Sequence, residues 1–327
     1  MTILLFYGGL SSEHEISIRS EANIKEVLIS LGYSIKEIFI TKDGRYLYEG
    51  DEVIIIPQKG FFTKDNKIEF DVAFPVLHGK NGEDGTIQAL FEIVNVPYIS
   101  EDIITSSIGM NKEIFHDLLY KKVPVIESKK INNYSDIDLS SFVLKPVSGG
   151  SSIGVYMMEN NSQNEVEKVI KSIKDLNDDV LMQPWIKDAR EIEFGVINDI
   201  KNEELLILGP VEIIKSGQLL SYDAKYNDPN LKIITKENIN ISPSTIQKLK
   251  QITKEVFNSL NGKVYMRVDY LVTNNEEIFL NEVNTIPGLT KTSHFIVLAK
   301  EIGFERLFNI LINDALIIHE KKRRNNG

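Results

Sequence analysis

Two short groups of residues near the C-terminal end could carry metal and phosphate chemistry. Arg267-Val268-Asp269 and Glu282-Val283-Asn284 each sit within or at the end of an apolar stretch that reads as a strand. Alternate side chains on a strand share a face, so Arg267 projects with Asp269 and Glu282 with Asn284. Two carboxylates and one amide oxygen suit a hard cation such as magnesium, which takes oxygen ligands and keeps positions for substrate phosphates. The same residues could instead form a solvated strand end laced with ion pairs.

A second group is Lys145-Pro146-Val147-Ser148-Gly149-Gly150-Ser151-Ser152-Ile153-Gly154. Consecutive small residues let backbone N–H groups approach an anion closely, and Lys145 could pair with a phosphate. Val155-Tyr156 follows Gly154, so this is not a Walker A loop; a plain hairpin loop is the alternative. Gly150-Ser151-Ser152-Ile153-Gly154 also matches the hydrolase pattern GxSxG, which would make Ser152 a nucleophile. That pattern needs a helix after the serine, and Val155–Met158 reads as a strand.

The histidines are His14, His78, His116, His294 and His319, and none has metal-ligand spacing. His14 and His78 lie in Gly-flanked loops after strands. In a parallel sheet such loops gather at the strand C-terminal edge, where ligands bind. His116 falls on a helix and reads as structural or exposed. Lys225-Tyr226 lies in the polar stretch 221–230, which reads as a long loop able to close over a site.

The elements that must hold these groups alternate at first between strand and helix. The run 2–7, stopped by Gly8-Gly9, is followed by a helical pattern over 16–31 and a strand over 33–40. This is a βαβ unit and implies a parallel sheet. A strand over 72–77 and a helix over 86–94 complete a first domain, residues 1–100. Residues 101–184 carry a helix over 111–120, a hairpin of 142–146 with 155–158, a helix over 164–176 and a strand over 180–183. Residues 185–327 carry strands over 191–196, 205–214, 264–272 and 277–282, with helices over 243–259, 296–302 and 304–320. The fold class is therefore α/β and α+β, with the parallel-sheet unit at the N-terminal end.

The chain has 327 residues, enough for two or three domains, and no cysteine. That excludes thiol catalysis, Cys-ligated zinc and a disulfide framework. Its 37 basic and 47 acidic residues give a net charge of -10. An acidic chain is poorly suited to binding duplex nucleic acid. No stretch approaches the ~18 apolar residues of a membrane span, and the start lacks a basic leader. The expectation is a cytoplasmic protein with no nucleic-acid or membrane partner. Lys321-Lys322-Arg323-Arg324 reads as a frayed, solvated helix end.

Taken in order, these segments resemble the D-alanine–D-alanine ligases of the ATP-grasp superfamily. The resemblance runs from Gly8 to about Ser293. It is carried by Gly8–Ser17, by Leu77-His78-Gly79 with Gly82–Gln88, and by Lys145-Pro146 with Gly150–Gly154. Tyr222–Tyr226, Arg267-Val268-Asp269 and Asn281–Gly288 complete it. The resemblance implies a three-domain ATP-grasp architecture, an N-terminal substrate-binding domain followed by two that hold the nucleotide between them, and the use of ATP with two Mg2+ (or Mn2+) ions. It implies that D-alanine is ligated through a D-alanyl phosphate for peptidoglycan, and so for cell wall and cell shape. A homodimer is also implied.

Carried over residue by residue, Asp269, Glu282 and Asn284 hold the metal ions. Lys112, Lys145 and Lys225 meet phosphates, covered by Ser152. Gln183, Trp185 and Ile186 meet the adenine, and Glu191 the ribose. Glu13 takes the first substrate's ammonium and links to Ser151 and Tyr226. His78 lies near that substrate's carboxylate. Arg267 and the Gly288 amide stabilise the oxyanion, and Ser293 takes the second carboxylate. Gln183-Pro184 stands where the family usually has an acid and a lysine, and His294-Phe295 departs from the pattern after Ser293. A D-Ala–D-lactate or D-Ala–D-Ser ligase is the related alternative, and a Ser152 hydrolase the alternative from another class.

Overall fold

A computed structural model describes residues 1–64, 66–150, 152–214 and 232–325. The strand β1 (Thr2–Gly8) buries Ile3, Leu4, Leu5 and Phe6 completely. A strand apolar on both faces belongs inside a parallel sheet covered on both sides. β1 indeed lies parallel to β2 (Ser34–Ile40), to which it connects through α1 (His14–Ser30). The short strands β3 (Tyr46–Tyr48) and β4 (Asp51–Glu52) extend the sheet antiparallel at one edge, and β5 (Ile54–Ile56) with β6 (Gly60–Phe62) forms a separate ribbon. β7 (Val72–Pro75) pairs parallel with the other side of β1, giving the order β4-β3-β2-β1-β7. The helix α2 (Thr86–Val94) starts at Gly85. The regions of Leu10 and His78 thus meet at the C-terminal edge of β1 and β7.

Two helices then follow without a linker. α3 (Ile103–Met110) ends, and α4 (Lys112–Leu119) begins, at Asn111, whose extended backbone turns the chain. The Asn111 side chain accepts from Ile114 N at 3.0 Å, satisfying one orphan donor of α4. The helix expected over 111–120 is therefore preceded by a second one. Its β-branched and serine content gives α3 weak helical propensity.

The next sheet has the order β10-β9-β11-β8, from β8 (Lys129–Ile131), β9 (Ser141–Pro146), β10 (Tyr156–Glu159) and β11 (Val180–Pro184). β9 and β10 pair antiparallel, as a hairpin about the glycine loop requires. α5 (Gln163–Lys174) covers one face through Val166, Ile170 and Ile173.

The third sheet, order β14-β13-β12-β15-β16, is antiparallel. It comprises β12 (Arg190–Asp199), β13 (Glu204–Ile214), β14 (Lys232–Thr235), β15 (Tyr265–Val272) and β16 (Ile278–Asn284). Ile192, Phe194 and Val196 of β12 pack under α6 (Pro243–Ser259), which Ser242 caps. The opposite face meets α7 (His294–Ala299) and α8 (Phe304–Asn325), with Phe295 and Leu298 packed near Ile197, Leu208 and Val211. α8 runs past Glu320. Lys322 is not merely a solvated end: it pairs with Glu92 and sits 5.3 Å from the Tyr98 ring centre. No helix among the described residues is long and apolar enough to cross a membrane.

Candidate active site

The positions read from the sequence gather on one face of the third sheet. Period-two alternation places Glu191 and Glu193 of β12 on the same side. The β12–β15 register sets Glu193 opposite Asp269, and the β15–β16 register sets Asp269 opposite Glu282. The register then slips, so Tyr270 opposes Leu280 and Asn281 is left unpaired. This is a β-bulge, which re-aims local groups.

A cleft of about 670 Å³ lies between this face and the β9–β10 hairpin. Lys112, Lys145, Ser152, Gln183, Trp185, Ile186 and Glu191 all line it, with Glu282. Val143, Met157 and Leu271 add apolar wall. Lys112 comes from the first turn of α4, donates to Gly149 O and lies 3.8 Å from Glu282. Burial pushes Lys145 down to about 7, reinforced by Lys112. An anion between the two lysines would relieve that repulsion. The glycines that allow the loop its shape are Gly149 and Gly154. A Cβ would stand 2.9 Å from Pro146 atoms at either one, and Gly154 has φ of 72°. The hydrolase geometry is absent here. Ser152 lies in the hairpin turn at φ of 58°, and β10 follows rather than a helix.

A small pocket of about 40 Å³ adjoins the cleft, and Gly150 lines both. Glu13, His78, Arg267, Asn284, Gly288 and Ser293 line it, together with Glu83 and His294. Arg267 is fully buried between two acids. It makes two bonds to Asp269, at 2.8 and 2.7 Å, and its Nε lies 3.0 Å from Glu193. Asp269, Glu193 and Glu282 hold the guanidinium charged, well above its ordinary value, against the cost of burial. Glu193 also accepts from His294 Nδ1 at 2.9 Å.

The loops are cross-tied. His78 Nδ1 donates to Ile286 O at 3.2 Å, and Ser20 Oγ lies 2.9 Å from its Nε2. Glu83 accepts from Gly79 N at 2.8 Å and Ile286 N at 3.2 Å; burial and the nearby Glu13 push it up to about 7. Asn23 of α1 donates to Leu289 O at 2.7 Å, and Ser293 Oγ accepts from Thr290 N at 2.9 Å. His14 braces its own loop, donating to Gly9 O at 2.6 Å.

The donor set fits a hard divalent cation. Burial, with Glu193 and Glu282 near, pushes Asp269 up to about 7 against the pull of Arg267. A cation between Asp269 and Glu282 would relieve this crowding; Asn284 donates its Nδ2 to Asp269 at 3.0 Å, which leaves its amide oxygen as the third ligand. Among the described residues no group of three or more His, Cys, Asp or Glu is arranged to hold a metal; the set here is two acids and an amide.

Ser151, Lys225 and Tyr226 lie outside the described residues. Sequence reasoning passes over Glu193 and gives His116 no part in the site. Glu193 could have been found from alternation with Glu191, whereas the partner of each lies far along the chain. His116, read as structural or exposed, is buried against Gln183 at the edge of the cleft.

Comparison with known proteins adds independent findings. The model of the D-ala D-ala ligase C-terminus matches residues 104–316, and that of the N-terminus matches 2–60 and 55–101. A D-alanine–D-alanine ligase of Borrelia garinii subsp. bavariensis is 32% identical, covering 99% of this chain and 98% of its own. The structure of the D-alanine–D-alanine ligase from Coxiella burnetii superposes with a TM-score of 0.84 at 26% identity, over 99% of this chain and 96% of that one. The VanG D-Ala:D-Ser ligase from Enterococcus faecalis gives 0.82 at 26% identity, over 96% and 99%.

Proposed function

Since the chain belongs to the D-alanine–D-alanine ligase family and is an ATP-dependent ligase of ATP-grasp fold, we propose that it joins two D-alanines through a D-alanyl phosphate. The dipeptide is a precursor of peptidoglycan. The observation that carries this reading is the shared wall at Gly150. A cleft sized for a nucleotide adjoins a small pocket holding a buried cation, Arg267, beside the acids Glu13 and Glu83.

A carboxylate is a poor acyl donor, and phosphorylation supplies a leaving group. One carboxylate oxygen of the first D-alanine attacks the γ-phosphorus, and the bond to the β–γ bridging oxygen breaks to leave ADP. The amine of the second D-alanine, once deprotonated, attacks the acyl carbon. The carbon–oxygen bond to phosphate then breaks, releasing phosphate and dipeptide. Catalysis of this kind is mostly positioning and charge neutralisation.

In this reading Lys112, Lys145 and Lys225 hold the phosphates, with Ser152 and the loop amides over them. Glu191 takes the ribose, while Gln183, Trp185 and Ile186 take the base. Glu13 holds the first ammonium and, with Ser151 and Tyr226, ties the lid. His78 stands by the first carboxylate, and Ser293 holds the second. Arg267 and the Gly288 amide meet the oxyanion, where preorganised donors have most effect. Asp269, Glu282 and Asn284 would hold two magnesium or manganese ions, which would neutralise phosphate charge. Residues 1–100, 101–184 and 185–327 are the three domains of this reading, and the active form is a cytoplasmic homodimer.

The test is phosphate release with Mg-ATP and a panel of D-alanine, L-alanine, D-serine and D-lactate, with products identified by mass. D-alanine alone should support release and yield the dipeptide. Preferential mixed products with D-serine or D-lactate would move the assignment to the related ligases. No amino-acid-dependent release would end it.

A further inference from the structure

At the base end of the cleft, the orientation of one polar group can be worked out atom by atom. His116 of α4 is buried, and both ring nitrogens are engaged. Nε2 lies 3.3 Å from Asn281 O. A carbonyl oxygen only accepts, so Nε2 carries a proton. Asn281 is the unpaired residue of the β15–β16 bulge. Burial, reinforced by the charge of Lys145, pushes His116 down to about 4. The ring is therefore neutral at pH 7, and Nδ1 is an acceptor. Its single lone pair is shared by Ser128 Oγ at 3.0 Å and Gln183 Nε2 at 3.2 Å, and an amide oxygen in the place of Nε2 would face that lone pair. The two ends of an amide are told apart only through such a network, and this one has a single solution. Gln183 turns its NH2 onto His116, which leaves Oε1 for the cleft that Gln183 lines. Among the described residues none donates to that oxygen.

We infer that His116 sets the base specificity of this cleft: it locks Gln183 with its carbonyl oxygen toward the bound base, so that a 6-amino purine is accepted and a 6-oxo purine rejected. The inference rests on the nucleotide reading of the cleft. A 6-amino group donates to Oε1, whereas a 6-oxo group sets two acceptors face to face. A carboxylate at position 183 would accept whichever way it turned. An amide needs a partner to hold it, because one rotation reverses what it selects. His116 is thus a positioning residue acting through Gln183.

Trp185 is the chain's one tryptophan and lines the cleft, so its fluorescence reads binding without turnover. The full chain is titrated with Mg-ATP and with Mg-ITP, which carries oxygen for nitrogen at position 6. ITP should bind about tenfold to a hundredfold more weakly, as expected for an unmet acceptor. His116→Leu should bring the two affinities within about threefold, since Gln183 is then free to rotate. Adding Gln183→Glu to His116→Leu should restore the preference for ATP. If His116→Leu does not melt cooperatively, Gln183→Met in the native background replaces it and should also erase the preference. Equal affinities in the native chain would overturn the inference, as would an unchanged ratio in either folded variant. A folded chain that binds neither nucleotide would instead bring down the nucleotide reading on which it stands.

Discussion

The cleft and the small pocket share a sheet face and one glycine, yet they are built on different plans. The cleft is wide, about 670 Å³, and is lined by apolar side chains together with two lysines. The small pocket, about 40 Å³, is ringed by groups that are each tied down. Arg267 is held from both sides by Asp269 and Glu193, and Glu193 in turn by His294. Glu83 and His78 tie the two loops to each other through Ile286. In the wide cleft the locked Gln183 amide selects the base, and shape and total charge act on the rest of the ligand. A pocket of fixed dipoles has already met its reorganisation cost and acts on the transition state. Damage to the small pocket should therefore appear in turnover, and damage to the cleft in nucleotide affinity.

The sharpest way to break this contrast is Arg267→Lys. A single ammonium cannot reach both Glu193 and Asp269 with the geometry of a guanidinium fork. Turnover should fall by about 10²–10³-fold, with the KM for ATP changed by no more than about threefold. Steady-state kinetics at saturating D-alanine decide it: a rise in ATP KM with turnover preserved would reverse the assignment. Lys112→Met examines the other side. Loss of one charge-assisted contact should raise the KM for ATP by about tenfold to a hundredfold, with a smaller change in turnover. A turnover loss at unchanged KM would show that both regions act alike.

How far the sequence discloses this contrast depends on the range of the interaction. α1, α6 and the β9–β10 hairpin were legible, because their period and their Gly, Ser and Pro boundaries are local signals. Glu282 with Asn284 and Arg267 with Asp269 were legible as strand neighbours, and the family resemblance supplied their roles. β3 to β6 were passed over because they are two or three residues long and mostly half-exposed. α3 was passed over because its serines and β-branched residues argue against a helix, and tertiary packing overrides that. Glu193 to His294 spans 101 positions, and His116 to Asn281 spans 165. Such pairs are set by register and by a bulge, neither of which has a local signature.

The smallest expected effect concerns a group outside both pockets. Glu101 is buried and accepts from Lys263 N at 2.6 Å and Val264 N at 3.0 Å. Burial outweighs those bonds and pushes it from an ordinary 4.5 up to about 8. The folded chain then keeps a proton that the unfolded chain has released. This contribution to stability is full below about 4.5 and is lost as pH rises towards 8. Glu101→Gln stays neutral and lacks that slope. The Tm of the native chain should lose about 5 °C relative to the variant between pH 5 and pH 8, with ATP affinity the same in the two chains at either pH. Parallel melting curves across that range would refute the shift.

Lys112 and His116 stand four residues apart on α4, one turn and about 6 Å along its axis. One of them faces the proposed phosphate end of the ligand, and the other steers the amide at the base end. In the proposed reading, one rigid turn of helix thus fixes the spacing between the group that meets a phosphate and the group that holds the amide at the base.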